Sequence, residues 1–208
     1  HGVDAMLFIS VPSIAWLSGW LGPCPGRNRG LILTPEAATT ISPAIEGGRG
    51  WRQSFGENLT YTDWRRDNYW RAVRQLTAGV RRLGLEFDTV SLEFRRLLDA
   101  ALPGVEMVDM GALLRGLRRV KSPEEVALIR KGAAICDAGA RAVLDALREG
   151  VAEYELARAA TGAMEAGLSA LPFVEVGSSA SVRSGINTDS AEGASTNCRT
   201  SRGEILSL

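Results

Sequence analysis

Short apolar runs alternate with segments of helical spacing over residues 1–110, and this alternation restricts the fold more than any other feature. Strands are predicted at Val3–Ile9, Leu31–Thr34, Thr39–Ser42, Leu85–Phe87 and Val105–Val108. Helices are predicted at Pro12–Leu17, Asp63–Leu83 and Leu92–Ala101. The strand runs are short and bounded by turn residues, whereas apolar residues in the helical segments recur at three- and four-residue steps. Such alternation is typical of an α/β sheet. Trp51–Phe55 is predicted to be a further strand or strap.

The second half of the chain is predicted to be mainly helical. Ser-Pro-Glu-Glu at 122–125 places good residues at the N-cap, N1 and N3 positions of a helix. That helix is expected to run to Arg148, and a second one from Glu153 to Ala166. The segment 111–121 is therefore the predicted boundary. The predicted domains are 1–115 and 120–208.

Charge and composition exclude several classes of partner. The chain is 45% hydrophobic, and Lys+Arg and Asp+Glu balance at 24 each, so no net field attracts nucleic acid or an anionic membrane. No apolar run approaches the ~18 residues that span a bilayer, and the opening residues do not resemble a secretion signal. Three widely separated cysteines indicate neither a disulfide framework nor a zinc site. A cytoplasmic location is expected.

Histidine occurs only at position 1, and this removes several mechanisms. Neither a Ser-His-Asp nor a Cys-His arrangement can be built from these residues. A metal site of histidines and carboxylates is equally unsupported. No GxGxxG motif follows a strand, so a nucleotide cofactor is not indicated. We expect neither a metal nor a cofactor.

Two polar loops are candidate sites. Ser184–Asp189 lies between apolar runs at 171–176 and 205–208, where an enzyme could hold a small polar substrate. A plain surface turn is the alternative, because Gly, Asn, Asp and Ser are ordinary turn residues. Asp189 and Glu192 could act as acid or base, or could simply make turn hydrogen bonds.

The second candidate loop is Leu21–Gly30, which contains three glycines and two prolines and is therefore not regular structure. Arg27 within it presents a planar guanidinium that fits a carboxylate. The loop therefore has two interpretations, an anion clamp and a solvated surface loop.

A set of motifs runs in one register along nearly the whole chain. The most specific is Thr60–Asn68, which reads TYTDWRRDN. The others are residues 40–42, 47–48, 51–52, 54–56, 58, 71–77, 101–106, 172–175, 184–189 and 205–208. Together they resemble the creatinases (creatine amidinohydrolases), which belong to the pita-bread hydrolases with aminopeptidase P and prolidase.

This resemblance implies a fold and an activity. The fold would be a creatinase-type N-terminal α/β domain followed by a truncated pita-bread catalytic domain. Creatinases hydrolyse a C–N bond of creatine, a small guanidino carboxylate, to give sarcosine and urea without a metal. They are homodimers in which the N-terminal domain reaches the partner's catalytic pocket. The chain is accordingly expected to be a fragment of such a hydrolase and inactive by itself.

The resemblance also assigns site residues. Arg27 falls at the arginine that binds the substrate carboxylate, and Asn187 and Asp189 fall in the substrate-binding run. Glu192 stands where creatinases carry the histidine that shuttles the proton. Because the unperturbed pKa of a glutamate is ~4.3, burial would have to raise it for work near neutral pH. Pro25 likewise replaces an expected aromatic residue.

These departures leave three functions open. The first is a creatinase-like hydrolase of a small guanidino or amide substrate. The second is a pita-bread metallopeptidase or an ectoine-hydrolase-like enzyme, whose first metal-binding aspartate would follow Leu208 in this register. The third is a non-catalytic homologue that keeps the N-terminal domain for dimerisation or binding.

Overall fold

A computed structural model describes residues 2–22, 26–46, 48–62, 68–171, 177–189 and 193–208. The chain divides into two units, residues 1–120 and 121–208. None of the described helices is long and apolar enough to cross a membrane.

Within the described part of the first unit, six strands form one mixed sheet with the order β4-β3-β2-β1-β5-β6. The strands are β1 Ala5–Phe8, β2 Gly30–Leu33, β3 Ala38–Pro43, β4 Glu57–Tyr61, β5 Arg82–Leu85 and β6 Glu106–Asp109. The helices are α1 Val11–Ser18, α2 Arg49–Gln53, α3 Asn68–Leu76, α4 Leu92–Ala101 and α5 Gly111–Arg119. Strand β2 runs antiparallel to β1 and β3, and the remaining pairs are parallel.

Helices cover both faces of this sheet. Successive strand residues point to opposite faces, and Leu7 and Phe8 of β1 belong to different apolar clusters. Leu7 packs in the cluster that contains Trp70 of α3 and Leu98 of α4. Phe8 packs in the cluster that contains Ile14 of α1 and Leu114 of α5. The first unit is therefore a three-layer α/β unit.

The predicted helix Asp63–Leu83 is wrong at its C-terminal end. Helix α3 stops at Leu76, and residues from Arg82 onward form a central strand. Gly79 has φ +82°, a left-handed conformation that a helix cannot continue through. Leu83 and Leu85 are almost fully buried in the sheet, so their apolar spacing reflects a strand. Residues 63–67 lie outside the described part of the chain.

Two neighbouring predictions also change. Trp51–Phe55 is not a strand or strap, because Arg49–Gln53 forms helix α2. The apolar side chains at 51 and 55 do not line a core either, since they are 70% and 92% exposed. The strand predicted at Leu85–Phe87 lies earlier, at Arg82–Leu85. Strand β4 was not predicted, and α4 was predicted with the bounds that it has.

The second unit contains helices α6 Pro123–Ala146 and α7 Glu153–Ser169, and the short strands β7 Arg183–Ser184 and β8 Leu206–Ser207. The predicted capping box of α6 is confirmed: the Glu125 backbone N–H donates to Ser122 Oγ at 3.2 Å, and the Ser122 N–H donates to Glu125 Oε2 at 2.7 Å. Helix α7 continues through Gly167, where closure was predicted.

Helices α6 and α7 pack through a glycine contact. A Cβ on Gly139 of α6 would come within 2.9 Å of Met164 Cγ of α7, so a glycine lets the helices approach closely. Val143, Leu156 and Val182 form the buried centre of this unit. Apolar spacing from Val126 to Leu147 predicts a buried stripe on α6, but most of that stripe lies at the surface, with Ile129 56% exposed.

Candidate active site

The loop Ser184–Asp189 begins at a two-stranded ladder and continues as a single turn of 3-10 helix. Strand β7 pairs with β8 in antiparallel register, with Ser184 opposite Leu206. The residues Gly185–Asp189 form the 3-10 turn. The Thr188 hydroxyl closes this turn by donating to the Gly185 carbonyl at 2.7 Å. The loop is therefore ordered by its own hydrogen bonds.

A buried carboxylate, Glu153, organises the loop. Its Oε1 accepts from the Ser184 backbone N–H at 2.7 Å, from the Ser184 hydroxyl at 3.1 Å and from Asn187 Nδ2 at 2.9 Å. Its Oε2 accepts from the Thr196 backbone N–H at 2.9 Å and from the Thr196 hydroxyl at 2.7 Å. Residues on both sides of positions 190–192 are thus joined to one side chain.

The local structure explains why a carboxylate can lie here. Glu153 is the first residue of α7, and its side chain is fully buried. The positive end of a helix dipole stabilises a carboxylate in the first turn. The backbone N–H groups of Glu153 and Tyr154 donate to the carbonyls of Cys198 and Thr196, at 3.0 and 3.1 Å. The segment 196–198 therefore lies beside the first residues of α7.

The hydrogen bonds hold Glu153 ionised. Burial by itself raises the pKa of this carboxyl, because it disfavours the charge. Hydrogen bonds from the Asn187 side chain, from the side chain and backbone of Thr196 and from the Ser184 backbone act in the opposite direction and lower the pKa of Glu153 to about 2. At neutral pH the group is a buried anion that only accepts hydrogen bonds, so its role is to position the loop.

The predicted residues of the second unit fall in three different situations. Asn187 directs its amide nitrogen toward Glu153 and, at 3.3 Å, toward Thr196 Oγ1. Asp189 is exposed at the end of the 3-10 turn. Glu192 lies outside the described residues, as do Pro25 and the apolar run 172–176. The structure therefore brings Asn187 to Glu153 and leaves Asp189 facing solvent.

Arg27 belongs to the first unit, in the turn that leads into β2. Its side chain is exposed, and Nη1 donates to the Gly26 carbonyl at 3.1 Å. The backbone just after it is held by two phenol hydroxyls. Tyr61 donates to the Asn28 carbonyl at 2.6 Å, and Tyr69 donates to the Arg29 carbonyl at 3.1 Å.

A second buried carboxylate, Glu86, organises the first unit. It is 5% exposed and accepts from the backbone N–H groups of Ile9 and Ser10 at 3.3 and 3.2 Å. It also accepts from the hydroxyls of Ser10 and Ser13 at 2.8 and 2.5 Å. Ser10 is the N-cap of α1. Glu86 directly follows β5, so its hydrogen bonds join the end of that strand to the turn between β1 and α1.

Glu153 and Glu86 are the residues that the sequence interpretation missed. The sequence predicts Glu153 only as the start of a helix and Glu86 only as part of a strand. An acidic residue at the first position of a helix, followed by an Asn- and Thr-rich loop, is the signal that could have indicated Glu153. The donors come from residues 31 to 43 positions away, so spacing alone could not identify them.

The described residues hold one cavity of note but no metal cluster. No group of three or more His, Cys, Asp or Glu side chains there could hold a metal ion. A cavity of about 720 Å³ opens between α7 and the segments 179–181 and 194–195, and its lining includes Arg158, Thr161 and Ser195. This cavity belongs to the second unit, as do Glu153 and the residues that donate to it.

Two family models match the chain. Residues 1–120 match the Creatinase/Prolidase N-terminal domain, and residues 127–208 match Metallopeptidase family M24. A creatinase from Bacillus sp. (strain B-0618) is 41% identical over 215 residues, which cover 100% of this chain and 52% of that protein. The chain thus spans about half the length of this relative.

Solved structures show the same fold. The X-Pro aminopeptidase of Thermotoga maritima MSB8 matches with a TM-score of 0.82 and 17% identity, over 99% of this chain and 56% of that one. The prolidase of Pyrococcus horikoshii OT3 matches with a TM-score of 0.75 and 22% identity, over 98% and 55%. The predicted fold class, a creatinase-type α/β domain followed by part of a pita-bread domain, is confirmed. The chain therefore belongs to the creatinase/prolidase family, with a Creatinase/Prolidase N-terminal domain joined to part of a Metallopeptidase family M24 domain.

Proposed function

We propose that the full-length protein is a creatinase-type amidinohydrolase that converts creatine and water to sarcosine and urea. The observation that carries the proposal is the 41% identity to the Bacillus creatinase over the whole chain. Two local features support the proposal, each within its own unit: Arg27 lies just before β2, and the loop Ser184–Asp189 is ordered around Glu153.

The contacts of Asn187 support a guanidino substrate. Its amide nitrogen donates to Glu153, so the carbonyl oxygen Oδ1 is the atom left to accept an N–H of a guanidinium. The exposed carboxylate of Asp189 is a second acceptor on the same turn. Carboxylates and amide oxygens are suitable partners for the planar donors of a guanidinium. In this proposal Arg27 binds a substrate carboxylate, as the creatinase resemblance implies.

The proposed reaction needs one acid-base group. Water adds to the guanidino carbon and gives up a proton, the bond from that carbon to the sarcosine nitrogen breaks, and the nitrogen takes up a proton as urea forms. We assign this proton transfer to Glu192, at the position of the creatinase histidine. Glu192→Gln cannot exchange a proton, and we expect it to lower kcat at least about a hundredfold, in line with the usual contribution of general acid-base catalysis.

The substrate role of Arg27 has a matched test. Arg27→Ala in the full-length protein is expected to raise KM for creatine about 10- to 100-fold, because a hydrogen bond to a charged group contributes about 1.5–3 kcal/mol. The control is Arg71→Ala, which removes an exposed arginine of α3 and should change KM less than twofold. An unchanged KM for Arg27→Ala would refute the assignment.

A metallopeptidase is the second candidate, because residues 127–208 match Metallopeptidase family M24. The described residues do not fit a metal site, so such an enzyme would need ligands from elsewhere in the full-length protein. Urea and sarcosine release should be measured with and without a chelator, beside cleavage of an Xaa-Pro dipeptide. Release that resists the chelator supports the amidinohydrolase. Chelator-sensitive dipeptide cleavage supports the metallopeptidase, and turnover of neither substrate supports a non-catalytic homologue.

We also propose that the full-length protein is a cytoplasmic homodimer. The first unit exposes several large apolar side chains, among them Ile45, Trp51 and Phe55 at 73%, 70% and 92%, which a subunit interface would cover. Cys136 and Cys198 are free thiols, which a reducing cytoplasm would preserve. Light scattering after size exclusion tests the dimer. A monomeric mass at micromolar concentration would contradict it.

A further inference from the structure

Two buried tyrosines hold consecutive carbonyl groups in the segment after Arg27. The Tyr61 hydroxyl donates to the Asn28 carbonyl at 2.6 Å, and the Tyr69 hydroxyl donates to the Arg29 carbonyl at 3.1 Å. Gly30, the next residue, is the first of β2. The backbone is therefore held from the residue after Arg27 to the start of the sheet.

Both phenol rings lie in fixed positions. Tyr61 is the last residue of β4 and is 7% exposed, and Tyr69 lies in the first turn of α3 and is 3% exposed. Their rings meet edge to face with centroids 5.7 Å apart, and Tyr69 packs in the same way on Trp70 at 5.0 Å. Water has little access to compete for these hydroxyls, so the hydrogen bonds restrict the backbone at Asn28 and Arg29.

The neighbouring groups are consistent with this arrangement. Burial raises the pKa of Tyr69, with the nearby Tyr61 contributing in the same direction, so the phenol stays a neutral donor. A Cβ on Gly30 would come within 3.0 Å of the Tyr69 hydroxyl oxygen and 3.1 Å of Leu7 Cδ1. A glycine at position 30 thus leaves the space that the hydroxyl occupies.

We propose that Tyr61 and Tyr69 are positioning residues that hold the backbone beside Arg27 and thereby orient its guanidinium toward a carboxylate ligand. The inference rests on the proposed function of Arg27 and adds how that function is achieved. Arg27 immediately precedes the first of the held carbonyl groups, so an ordered backbone reduces the conformational freedom that binding would otherwise remove. Tyr61 also belongs to the Thr60–Asn68 motif, so the proposal gives a structural role to one residue of that motif.

The first test measures the loop without any substrate. Trypsin cleaves after arginine, and the loop offers the bonds Arg27–Asn28 and Arg29–Gly30. In the 208-residue chain, Tyr61→Phe and Tyr69→Phe are each expected to speed cleavage at these bonds at least about fivefold, because cleavage requires local opening. The control is Tyr154→Phe, since Tyr154 is the third tyrosine of the chain and is 45% exposed. It should leave the rate unchanged.

Cleavage at Arg71–Ala72 within α3 serves as the measure of general unfolding. The inference is supported only if a variant speeds cleavage at Arg27–Asn28 and Arg29–Gly30 more than it speeds cleavage at Arg71–Ala72. Should either variant fold poorly, hydrogen exchange of the peptide that covers residues 26–30 gives the same comparison in the other variant. Equal cleavage rates in the wild type and both variants would overturn the inference, whatever the enzyme does with creatine.

The second test asks whether the tyrosines act through Arg27. In the full-length protein, Tyr61→Phe is expected to weaken creatine binding about fivefold, with kcat changed less than twofold. On an Arg27→Ala background the same substitution should have no further effect on the dissociation constant. Additive effects would overturn the inference. If loop cleavage accelerates in the variants but the wild type neither binds nor hydrolyses creatine, the proposed function fails while the tyrosines still order the loop.

Discussion

Glu153 accepts two hydrogen bonds from Thr196, one from the backbone N–H at 2.9 Å and one from the hydroxyl at 2.7 Å. The other carboxylate oxygen serves Ser184 and Asn187. One buried anion therefore joins the loop Ser184–Asp189 to the segment that contains Thr196. The conformation of the loop depends on that anion.

Glu153→Gln should destabilise the second unit by about 3 kcal/mol. The amide keeps the size of the side chain but replaces one acceptor oxygen with an NH₂ group, and each buried donor left without an acceptor costs about 1–3 kcal/mol. The five tryptophans all lie in the first unit, so their fluorescence does not report this change. Hydrogen exchange of peptides that cover Ser184 and Thr196 measures it locally.

The control for this experiment is Glu149→Gln, which removes an exposed charge shortly before the same helix. It should change the opening free energy by less than about 0.5 kcal/mol. Equal exchange rates in Glu153→Gln and Glu149→Gln would show that the carboxylate does not stabilise the loop.

Stability of the second unit should fall as the solution is acidified. The pKa of Glu153 is about 2 in the folded chain against 4.5 as its ordinary value. Because the folded value is lowered, the stabilisation is complete above about pH 4.5 and is lost as the pH falls toward 2. Urea unfolding followed by far-UV circular dichroism should show the difference between wild type and Glu153→Gln shrinking over this range. A difference that stays constant from pH 6 to pH 3 would contradict the prediction.

Glu86→Gln should destabilise the first unit by about 2 kcal/mol. The carboxylate accepts from two backbone N–H groups and from two serine hydroxyls at the start of α1, and an amide cannot accept all four. Urea unfolding followed by tryptophan fluorescence reports this unit. Glu36→Gln, at an exposed turn position, is the control. A loss no larger than that of the control would exclude the proposed contribution of Glu86.

Two glycine substitutions should act in opposite directions. Gly79→Ala places a Cβ on a residue with φ +82° and is expected to cost about 1 kcal/mol, because L-residues are strained there. Gly116→Ala, in the exposed middle of α5 with open space around its Cβ position, is expected to add about 0.5–1 kcal/mol of stability. Thermal unfolding followed by tryptophan fluorescence measures both. A Gly79→Ala variant as stable as the wild type, or more stable, would show that Gly79 does not terminate α3 in this way.

Much of the fold could be predicted because its signals are local. The spacing in Leu92–Ala101 predicts α4 with its observed bounds, and the capping box at Ser122 predicts the start of α6. Both depend on contacts between residues three or four positions apart, which the sequence displays directly. The family resemblance added the pita-bread arrangement of the second unit, and the comparisons confirm it.

The errors arise where distant contacts determine the conformation. The apolar residues from Trp70 to Leu83 fit one helical face in the sequence. Leu83 instead belongs to a strand, because it pairs in parallel register with Ala5 of β1 and because Gly79 interrupts the helix. A strand gains its hydrogen bonds from other parts of the chain, so its position cannot be read from local spacing alone.

The sequence by itself determined the α/β class and the starts of α4, α6 and α7, because these depend on residue type and short spacing. The candidate residues Arg27, Asn187 and Asp189 were named from their residue types and from the family resemblance, and their roles stay predictions. Only the tertiary structure decided that Glu153 holds the loop and that two tyrosines hold the segment after Arg27. The donors to Glu153 come from residues up to 43 positions away, and the tyrosines contact carbonyls 33 and 40 positions earlier. Such contacts exist only after the chain has folded, since folding brings together groups that the sequence separates.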